Sequence, residues 1–195
     1  MVDRVRRRRG QERIDEILRA TLDVIGRDGL GAVTHRTVAE ASGVPLGSLT
    51  YYFAAKQDLL HAALALFVAE DVARLRAAAE ELLAAGATGP EVVARFADVL
   101  EADETAGVAQ FELYLEASRD PALRETAIAS LRAYAEVAEL ALRAAGVPEP
   151  EEAAAVVVAT VDGLGLQRVA AGPEAPALGP ALTRLWRALT SAPTG

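Results

Sequence analysis

The feature that most restricts the fold of this chain is the stretch THRTVAEASGVPLGSLTYYFAAK, which runs from Thr34 to Lys56. Its pattern predicts two short helices joined by a three-residue turn. Thr34 can cap a first helix over His35–Ala41, because a threonine hydroxyl accepts an unpaired backbone N–H of the first turn. Gly43 lies in the turn and can adopt the left-handed backbone conformation that such a turn requires.

The second helix of the pair is predicted to begin at Pro45, whose missing N–H costs nothing in a first turn, and to end near Tyr52. Four apolar residues are spaced to form a small buried face between the two helices: Val38, Ala39, Val44 and Leu49. The residues left outward are mostly small or hydroxyl-bearing, as suits a helix that lies in the major groove of DNA. They are His35, Arg36, Leu46, Gly47, Ser48, Thr50, Tyr51 and Tyr52.

This stretch resembles the DNA-binding domain of the TetR family of transcriptional regulators. The resemblance rests on Thr-x-Arg, Val-Ala, Ala-x-Gly-Val, Gly-Ser-Leu, Tyr-x-Phe and Lys, followed by Leu59 and Leu60, and it covers roughly residues 10–62. It implies a head of three helices, the third of which enters the major groove. It also implies that Tyr51 and Lys56 contact phosphates.

The stretch departs from the family pattern at three places. Thr50 stands where the family often has a tyrosine, and Tyr52 stands where a histidine is common. Ala54-Ala55 replaces a Pro-Ser pair that frequently caps the next helix, so we expect that helix start to be weaker by ~1 kcal/mol. These departures leave the operator sequence unpredicted.

The predicted DNA contacts divide into positioning and base-reading groups. Thr34 and Arg36 are expected to position the head together with the two phosphate contacts, while Leu46, Gly47, Ser48 and Thr50 lie nearest the bases. The full predicted set is Thr34, His35, Arg36, Pro45, Leu46, Gly47, Ser48, Thr50, Tyr51, Tyr52 and Lys56.

The charge of the chain is unevenly distributed, although its net value is −8. Residues 1–60 hold ten lysines and arginines against eight acidic residues, whereas residues 61–195 hold ten against twenty. This asymmetry directs nucleic acid to the head. The basic run Arg6–Arg9 and Arg4 either form an arm that contacts phosphates or the minor groove, or belong to a solvated tail.

Composition argues against several classes of site. The chain has no cysteine, which excludes disulfides and thiolate metal sites. Its two histidines, His35 and His61, are too few and too far apart to indicate a metal centre, and no cofactor is expected. The start of the chain lacks the apolar stretch of a signal peptide, and the charge-free apolar run Ala153–Val161 is shorter than the ~20 residues of a membrane span. We therefore expect a cytoplasmic protein.

The remaining pattern predicts an all-α fold of about nine helices, with a three-helix head and a helical-bundle body that binds a ligand and dimerises. The first helix is predicted over Gln11–Arg27, and a long fourth helix from Lys56 or Gln57 to Ala85. The predicted domains are a basic arm at 1–9, a DNA-binding head at 10–55 and a C-terminal body at 56–195.

The segment Glu151–Ala171 is ambiguous, because its β-branched run AVVVATV also suits a buried strand. Its length, acidic start and helical surroundings favour a helix. Such a helix is apolar on nearly every side and requires a partner for one face. The residues predicted to form a homodimer interface, together with the last helix, are Val157, Val161, Gly165 and Trp186.

A small-molecule effector is expected in the body, and the predicted lining is Phe96, Leu100, Phe111, Tyr114 and Tyr134. The core of the body is the ordinary alternative for such aromatics. Gln110, Glu112 or Asp162 are candidates for polar contacts to the effector, with surface exposure as the alternative for each.

Three classes of function compete for this sequence. The first is a homodimeric repressor that binds a palindromic double-stranded DNA operator and is released by its effector. The second, an enzyme on a helical bundle, has no supporting motif: the sequence lacks a Glu-x-x-His pair, a phosphate-binding loop and a Gly-x-Ser-x-Gly elbow. The third is a bundle whose helix-turn-helix mediates only protein contacts. The sequence favours the regulator.

Overall fold

This computed structural model describes the backbone of residues 2–101 and 104–191, and the side chains of residues 10–101 and 107–191. Throughout that part of the chain the regular structure is helical, which confirms the predicted all-α class. The helices are α1 (Val2–Asp28), α2 (His35–Ser42), α3 (Leu46–Tyr52), α4 (Lys56–Ala85), α5 (Gly89–Leu100), α6 (Glu104–Ala117), α7 (Pro121–Ala144), α8 (Pro150–Ala171) and α9 (Leu178–Ser191), with short 3-10 helices at Leu30–Ala32 and Gly172–Glu174.

Three helix starts differ from the sequence expectation. α1 begins at Val2, not near Gln11, so the backbone of the predicted arm continues the helix. The side chains of its basic run lie outside the described residues, and their contact with DNA stays a prediction. α3 begins one residue after Pro45, which instead serves as the N-cap. α9 begins at Leu178, four residues before the first leucine used to predict it.

The chain divides into two compact units. Unit 1 comprises Met1–Ala69 and Thr105–Ile128, and unit 2 comprises Glu70–Glu104 and Ala129–Gly195. Unit 1 therefore contains the predicted DNA-binding head, the first part of α4 and most of α6. The functional boundary predicted after residue 55 stays a prediction.

The core of unit 1 is built from large aliphatic side chains with almost no exposed surface, and the predicted face between α2 and α3 is part of it. Val38 and Leu49 are fully buried, and Ala39 and Val44 nearly so. Further buried residues come from the other helices of this unit: Ile17, Ile25, Leu59, Leu64, Leu113 and Leu123. Burial of one such side chain contributes about 1.5–3 kcal/mol, so this core holds the head in one arrangement.

Unit 2 contains three apolar clusters. The first joins Val92, Leu142 and Val147 to the first turn of α8. The second surrounds Leu75, Val99 and Val137, and the third places α5 against α9. Trp186 packs against the first and third of these clusters.

Helix α8 is confirmed as a helix, but much of its apolar surface is uncovered. The segment Pro150–Glu174 is long and apolar enough to cross a membrane by length and composition, and 11% of its most apolar window is buried. The prediction from the sequence compared only the shorter run Ala153–Val161 with the length of a membrane span. An apolar helix at the interface between two subunits has the same length and composition. These two properties therefore do not show that α8 spans a membrane.

Candidate nucleic-acid interface

The start of α2 is fixed by a reciprocal capping box. The backbone N–H of Thr37 donates to Thr34 Oγ1 at 3.1 Å, and the backbone N–H of Thr34 donates to Thr37 Oγ1 at 2.9 Å. These bonds satisfy two donors that a helix start would otherwise leave unpaired. The predicted capping role of Thr34 is therefore confirmed, and Thr37 is its reciprocal partner.

The turn between α2 and α3 is closed by Gly43, which has φ +67° at the end of α2, as predicted. The carbonyl of Pro45 then accepts the backbone N–H of Ser48 at 2.8 Å and begins α3. The short turn brings α3 against α2 through the buried Leu49, and this packing leaves the opposite face of α3 uncovered.

The uncovered face of α3 consists of small and hydroxyl-bearing residues. Gly47 and Thr50 are exposed, Ser48 is partly exposed, and Leu46 keeps 47% of its surface. Thr50 Oγ1 donates to Leu46 O at 3.1 Å, so its methyl group and remaining oxygen lone pairs are what it can present to a base. Because these side chains are short, the helix backbone can approach the floor of a major groove closely.

Tyr51 is the most exposed large side chain of this face, with 83% of its surface accessible. Its ring meets that of Tyr52 edge-on, with centroids 5.4 Å apart and planes at 75°. Tyr52 is only partly exposed. This arrangement holds the phenol of Tyr51 outward, and its contact with a phosphate stays a prediction.

His35 lies differently from the expectation. Its Nε2 is 2.9 Å from the carbonyl of Phe53 and donates to it, because a carbonyl can only accept. The ring is partly buried and joins the start of α2 to the end of α3. The outward orientation predicted for His35 is therefore wrong, and its role within the head is to hold the two helices together.

The two charged side chains expected to position the head have different surroundings. Arg36 is exposed and pairs with Glu40 at 3.0 Å, with 83% of the arginine side chain accessible. Such a surface pair contributes little, about 0–1 kcal/mol, so the guanidinium can exchange it for a phosphate. Lys56 is partly buried, and its Nζ donates to the carbonyl of Leu30 at 2.9 Å.

The start of α4 is better capped than Ala54-Ala55 suggested. The carboxylate of Asp58 accepts the backbone N–H of Ala55 at 2.9 Å. This bond is half of a capping box and supplies a cap that the alanines cannot.

Glu112, on α6, contacts the head in a way that the sequence did not predict. The pattern offered it as a polar contact for an effector, but its carboxylate on α6 accepts the backbone N–H of Leu30. The contact joins positions 82 residues apart, so no local pattern indicates it.

The predicted dimer residues lie mainly against their own protomer. Val157 and Val161 pack on the apolar clusters of unit 2, and the Trp186 indole donates to Ala145 O at 3.0 Å. All three residues are partly exposed as well, and their contact with a partner subunit stays a prediction. Gly165 is partly exposed.

The most exposed apolar side chains of α8 are instead Val156 at 53%, Leu166 at 52% and Val169 at 40%. Among the three neighbouring valines, Val156 is the outermost. Asp162, in the middle of the helix, has a pKa raised above its ordinary value because burial disfavours its charged form.

Three of the five predicted effector-lining residues come together in unit 2. Phe96, Leu100 and Tyr134 are partly buried around the cluster of Val99 and Val137. Tyr134 donates its hydroxyl to Asp71 at 2.8 Å, and Arg74 bonds both Asp71 and the carbonyl of Val99. The cluster therefore combines aromatic surface with a carboxylate.

The other two predicted lining residues, Phe111 and Tyr114, belong to unit 1, where the side chain of Gln110 donates to the Tyr114 hydroxyl at 3.2 Å. His61 Nε2 lies 3.3 Å from Asp120 Oδ2. Among the described residues, no group of three or more histidine, aspartate or glutamate side chains is placed to hold a metal ion.

Two family comparisons match most of the chain. Residues 17–72 match the family described as "Bacterial regulatory proteins, tetR family", and residues 87–190 match "Tetracyclin repressor-like, C-terminal domain". A comparison with curated proteins found no match.

Solved structures of transcriptional regulators are also similar to this chain. The chain is 32% identical to the transcriptional regulator SCO7518 from Streptomyces coelicolor A3(2), over 93% of this chain and 99% of that one, with a TM-score of 0.70. It is 36% identical to SCO1917 of the same organism, over 89% and 98%, with a TM-score of 0.69. It is 35% identical to the multidrug binding protein EbrR complexed with ethidium, over 89% and 98%, with a TM-score of 0.67.

Proposed function

Because the chain belongs to the TetR family of DNA-binding transcriptional regulators, we propose that it acts in the cytoplasm as a homodimeric repressor. In this proposal the dimer binds a palindromic operator and a small-molecule effector releases it. The observation that carries the proposal is the exposed face of α3, which presents short and hydroxyl-bearing side chains beside the outward Tyr51.

The DNA contacts follow from this face and its surroundings. Tyr51, Arg36 and Thr34 position the head on phosphates, and Leu46, Gly47, Ser48 and Thr50 meet the bases. Lys56 already donates to Leu30, but an ammonium has three donors, so it can also reach a phosphate.

The uncovered surface of α8 supports the proposed homodimer. Val156, Leu166 and Val169 expose apolar area that water disfavours, and Gly163 and Gly165 allow a second backbone to approach closely. A second copy of the same chain covers both surfaces at once in a two-fold interface. Val157, Val161 and Trp186 support this face from behind through their own core contacts.

The effector class follows from the cluster of Phe96, Leu100 and Tyr134. Aromatic surface attracts a flat organic cation through cation–π interaction, and Asp71, which Arg74 and Tyr134 already contact, can exchange its pairing with Arg74 for the cation. EbrR, which is 35% identical to this chain, was solved with ethidium, a ligand of that class. Phe111 and Tyr114 belong to unit 1, and their contact with an effector stays a prediction.

The test begins with selection of duplexes from a random library by the full-length protein, followed by titration of ethidium onto the complex with the selected duplex. We expect a palindromic consensus, binding that weakens with salt, and release of the duplex by ethidium. A library that yields no consensus contradicts the DNA proposal, whereas a consensus that ethidium does not affect contradicts only the effector class.

The regulator is preferred to the enzyme and protein-interaction alternatives, because the family match covers both the helix-turn-helix and the C-terminal part. No specific observation on the described residues favours a second function.

A further inference from the structure

The peptide of Leu30, in the turn between α1 and α2, is held from both sides by charged side chains. Its N–H donates to the carboxylate of Glu112 on α6, and its carbonyl accepts from Lys56 Nζ at the start of α4 at 2.9 Å. Both contacts are partly buried. The preceding Gly29 has φ +83°, a backbone conformation that L side chains rarely adopt, so the turn is shaped to present this peptide.

Further hydrogen bonds join this turn to the helix-turn-helix. Ala32 O accepts the hydroxyl of Thr37 at 2.8 Å, and Thr37 is half of the capping box that begins α2. His35 then bonds the carbonyl of Phe53 after α3. A short series of hydrogen bonds therefore runs from Glu112 through the Leu30 turn to both helices of the motif.

We propose that Glu112 is a positioning residue for DNA binding, which fixes the head onto α6 through the Leu30 peptide. This inference rests on the proposed function, because it concerns how two heads of a dimer reach two half-sites. The covalent chain connects the head to the rest of the molecule through α4. The Glu112 contact adds a second attachment, made by a different helix.

The physical reason is preorganisation. A dimer whose heads are fixed at the correct separation loses little conformational freedom when both bind, whereas loosely attached heads lose more. Hydrogen bonds to a charged acceptor are stronger than those between neutral groups, so a carboxylate is well suited to this attachment. A single half-site requires no defined separation, and its binding does not depend on the attachment.

The chain provides matched variants for the test. Glu112→Ala removes the acceptor, and Glu112→Gln keeps a carbonyl oxygen at the same distance from the backbone. Glu116→Ala removes another α6 carboxylate, whose partner is Arg119 on the surface. Each full-length variant is measured on the selected palindromic duplex and on the same duplex with one half-site scrambled, at low salt so that both complexes are measurable.

We expect Glu112→Ala to bind the two-half-site duplex about tenfold more weakly than the wild type and the one-half-site duplex within about twofold. Glu112→Gln should recover most of the affinity, and Glu116→Ala should resemble the wild type. Hydrogen exchange at the Leu30 amide should accelerate in Glu112→Ala, which shows that the intended bond was removed.

Two results overturn the inference while leaving the proposed function intact. One is a Glu112→Ala protein that binds the two-half-site duplex as the wild type does. If its Leu30 amide exchanges faster, the bond exists but does not affect DNA binding, and if the exchange rate is unchanged, the bond does not hold the Leu30 peptide. The other is an equal loss of affinity for both duplexes, which means that Glu112 only supports the fold of the head. A wild-type protein without preference for the two-half-site duplex overturns the proposed function, and this inference with it.

Discussion

At the scale of single residues, we expect some side chains of the exposed α3 face to hold the DNA and others to read its sequence. Tyr51→Phe removes one outward hydroxyl and should weaken binding to every duplex by a similar factor. Thr50→Ala or Ser48→Ala should instead change the preferred sequence, by ~1–3 kcal/mol for each base whose recognition the hydroxyl provides. Repeated selection with each variant measures this. The roles are reversed if Tyr51→Phe changes the consensus and Thr50→Ala does not.

The capping box at α2 predicts a stability effect at one residue. Thr34→Ala leaves the Thr37 N–H without its acceptor and should lower the free energy of unfolding by about 1 kcal/mol. Thr34→Ser keeps the hydroxyl and should cost much less. Urea unfolding of the two variants checks this, and equal destabilisation of both would show that the methyl group, not the hydrogen bond, is responsible.

The residues of the head show what a sequence can and cannot predict at this scale. Thr34 and Gly43 shape the backbone within three or four residues of their own positions, so local chemistry was sufficient to predict their roles. Glu112 and Lys56 act on a peptide 82 and 26 residues away, and their contacts exist only because the chain folds back. The outward prediction for His35 failed for the same reason, since its acceptor is 18 residues along the chain.

At the scale of elements, one face of α8 packs on its own core and another is uncovered. Val156 lies on the uncovered face, and its neighbour Val157 packs on the core. Val156→Glu places a charge on the exposed face and should give folded monomers. Val157→Glu places it against the first cluster of unit 2 and should destabilise the protomer by about 2 kcal/mol or more. Sedimentation and thermal unfolding of both variants separate the two effects. A dimeric Val156→Glu protein would exclude this face as the interface.

Asp162 on the same helix predicts a pH dependence. Its pKa in the folded state is raised above the ordinary 3.8 because burial disfavours the carboxylate. Between the unfolded and folded values the folded state binds more protons, so the contribution of Asp162 to stability falls as pH rises through this interval.

Asp162→Asn should therefore raise the Tm more at pH 7 than near pH 4, because the substitution removes the cost of ionising a buried carboxyl and that cost grows with pH. Unfolding curves at both values test this. An increase of the same size at both would mean that the substitution acts through packing and not through ionisation.

Element boundaries were predicted well where a strong local signal exists and poorly elsewhere. A local signal of this kind is Asp120, which caps α7 because its carboxylate accepts the N–H groups of Ala122 and Leu123 at 3.0 and 3.2 Å. The start of α1 was missed because the basic run was assigned to an arm, although arginine is a good helix former. The helical form of α8, in spite of its β-branched run, shows tertiary context and length overriding strand propensity.

At the scale of the whole molecule, the two units divide the proposed functions between them. Unit 1 contains the helix-turn-helix and its attachment through Glu112, and unit 2 contains the uncovered face of α8 and the aromatic cluster. The family could be assigned from the head alone, since its motif depends on local spacing. The lining of the effector pocket could not be predicted from the sequence, because Phe96 and Phe111 occur in similar apolar patterns but belong to different units.

The aromatic cluster predicts that effector response and DNA binding can be separated by one substitution. Leu100→Trp adds volume beside Phe96 and Tyr134 and should exclude a flat ligand, while the α3 face is unchanged. We expect the variant to bind the selected duplex as the wild type does, but to need at least about tenfold more ethidium for release, which corresponds to a decrease of ~1.4 kcal/mol in coupling free energy.

Leu83→Trp is the matched control, because Leu83 is a leucine of α4 with 41% of its surface exposed. It should leave both DNA binding and release unchanged. Fluorescence anisotropy of the labelled duplex, titrated with ethidium, measures the response of each protein, with ethidium binding to the free duplex subtracted. If Leu100→Trp releases DNA at the wild-type ethidium concentration, the effector does not occupy this cluster. If it loses DNA binding as well, the cluster supports the fold rather than the response.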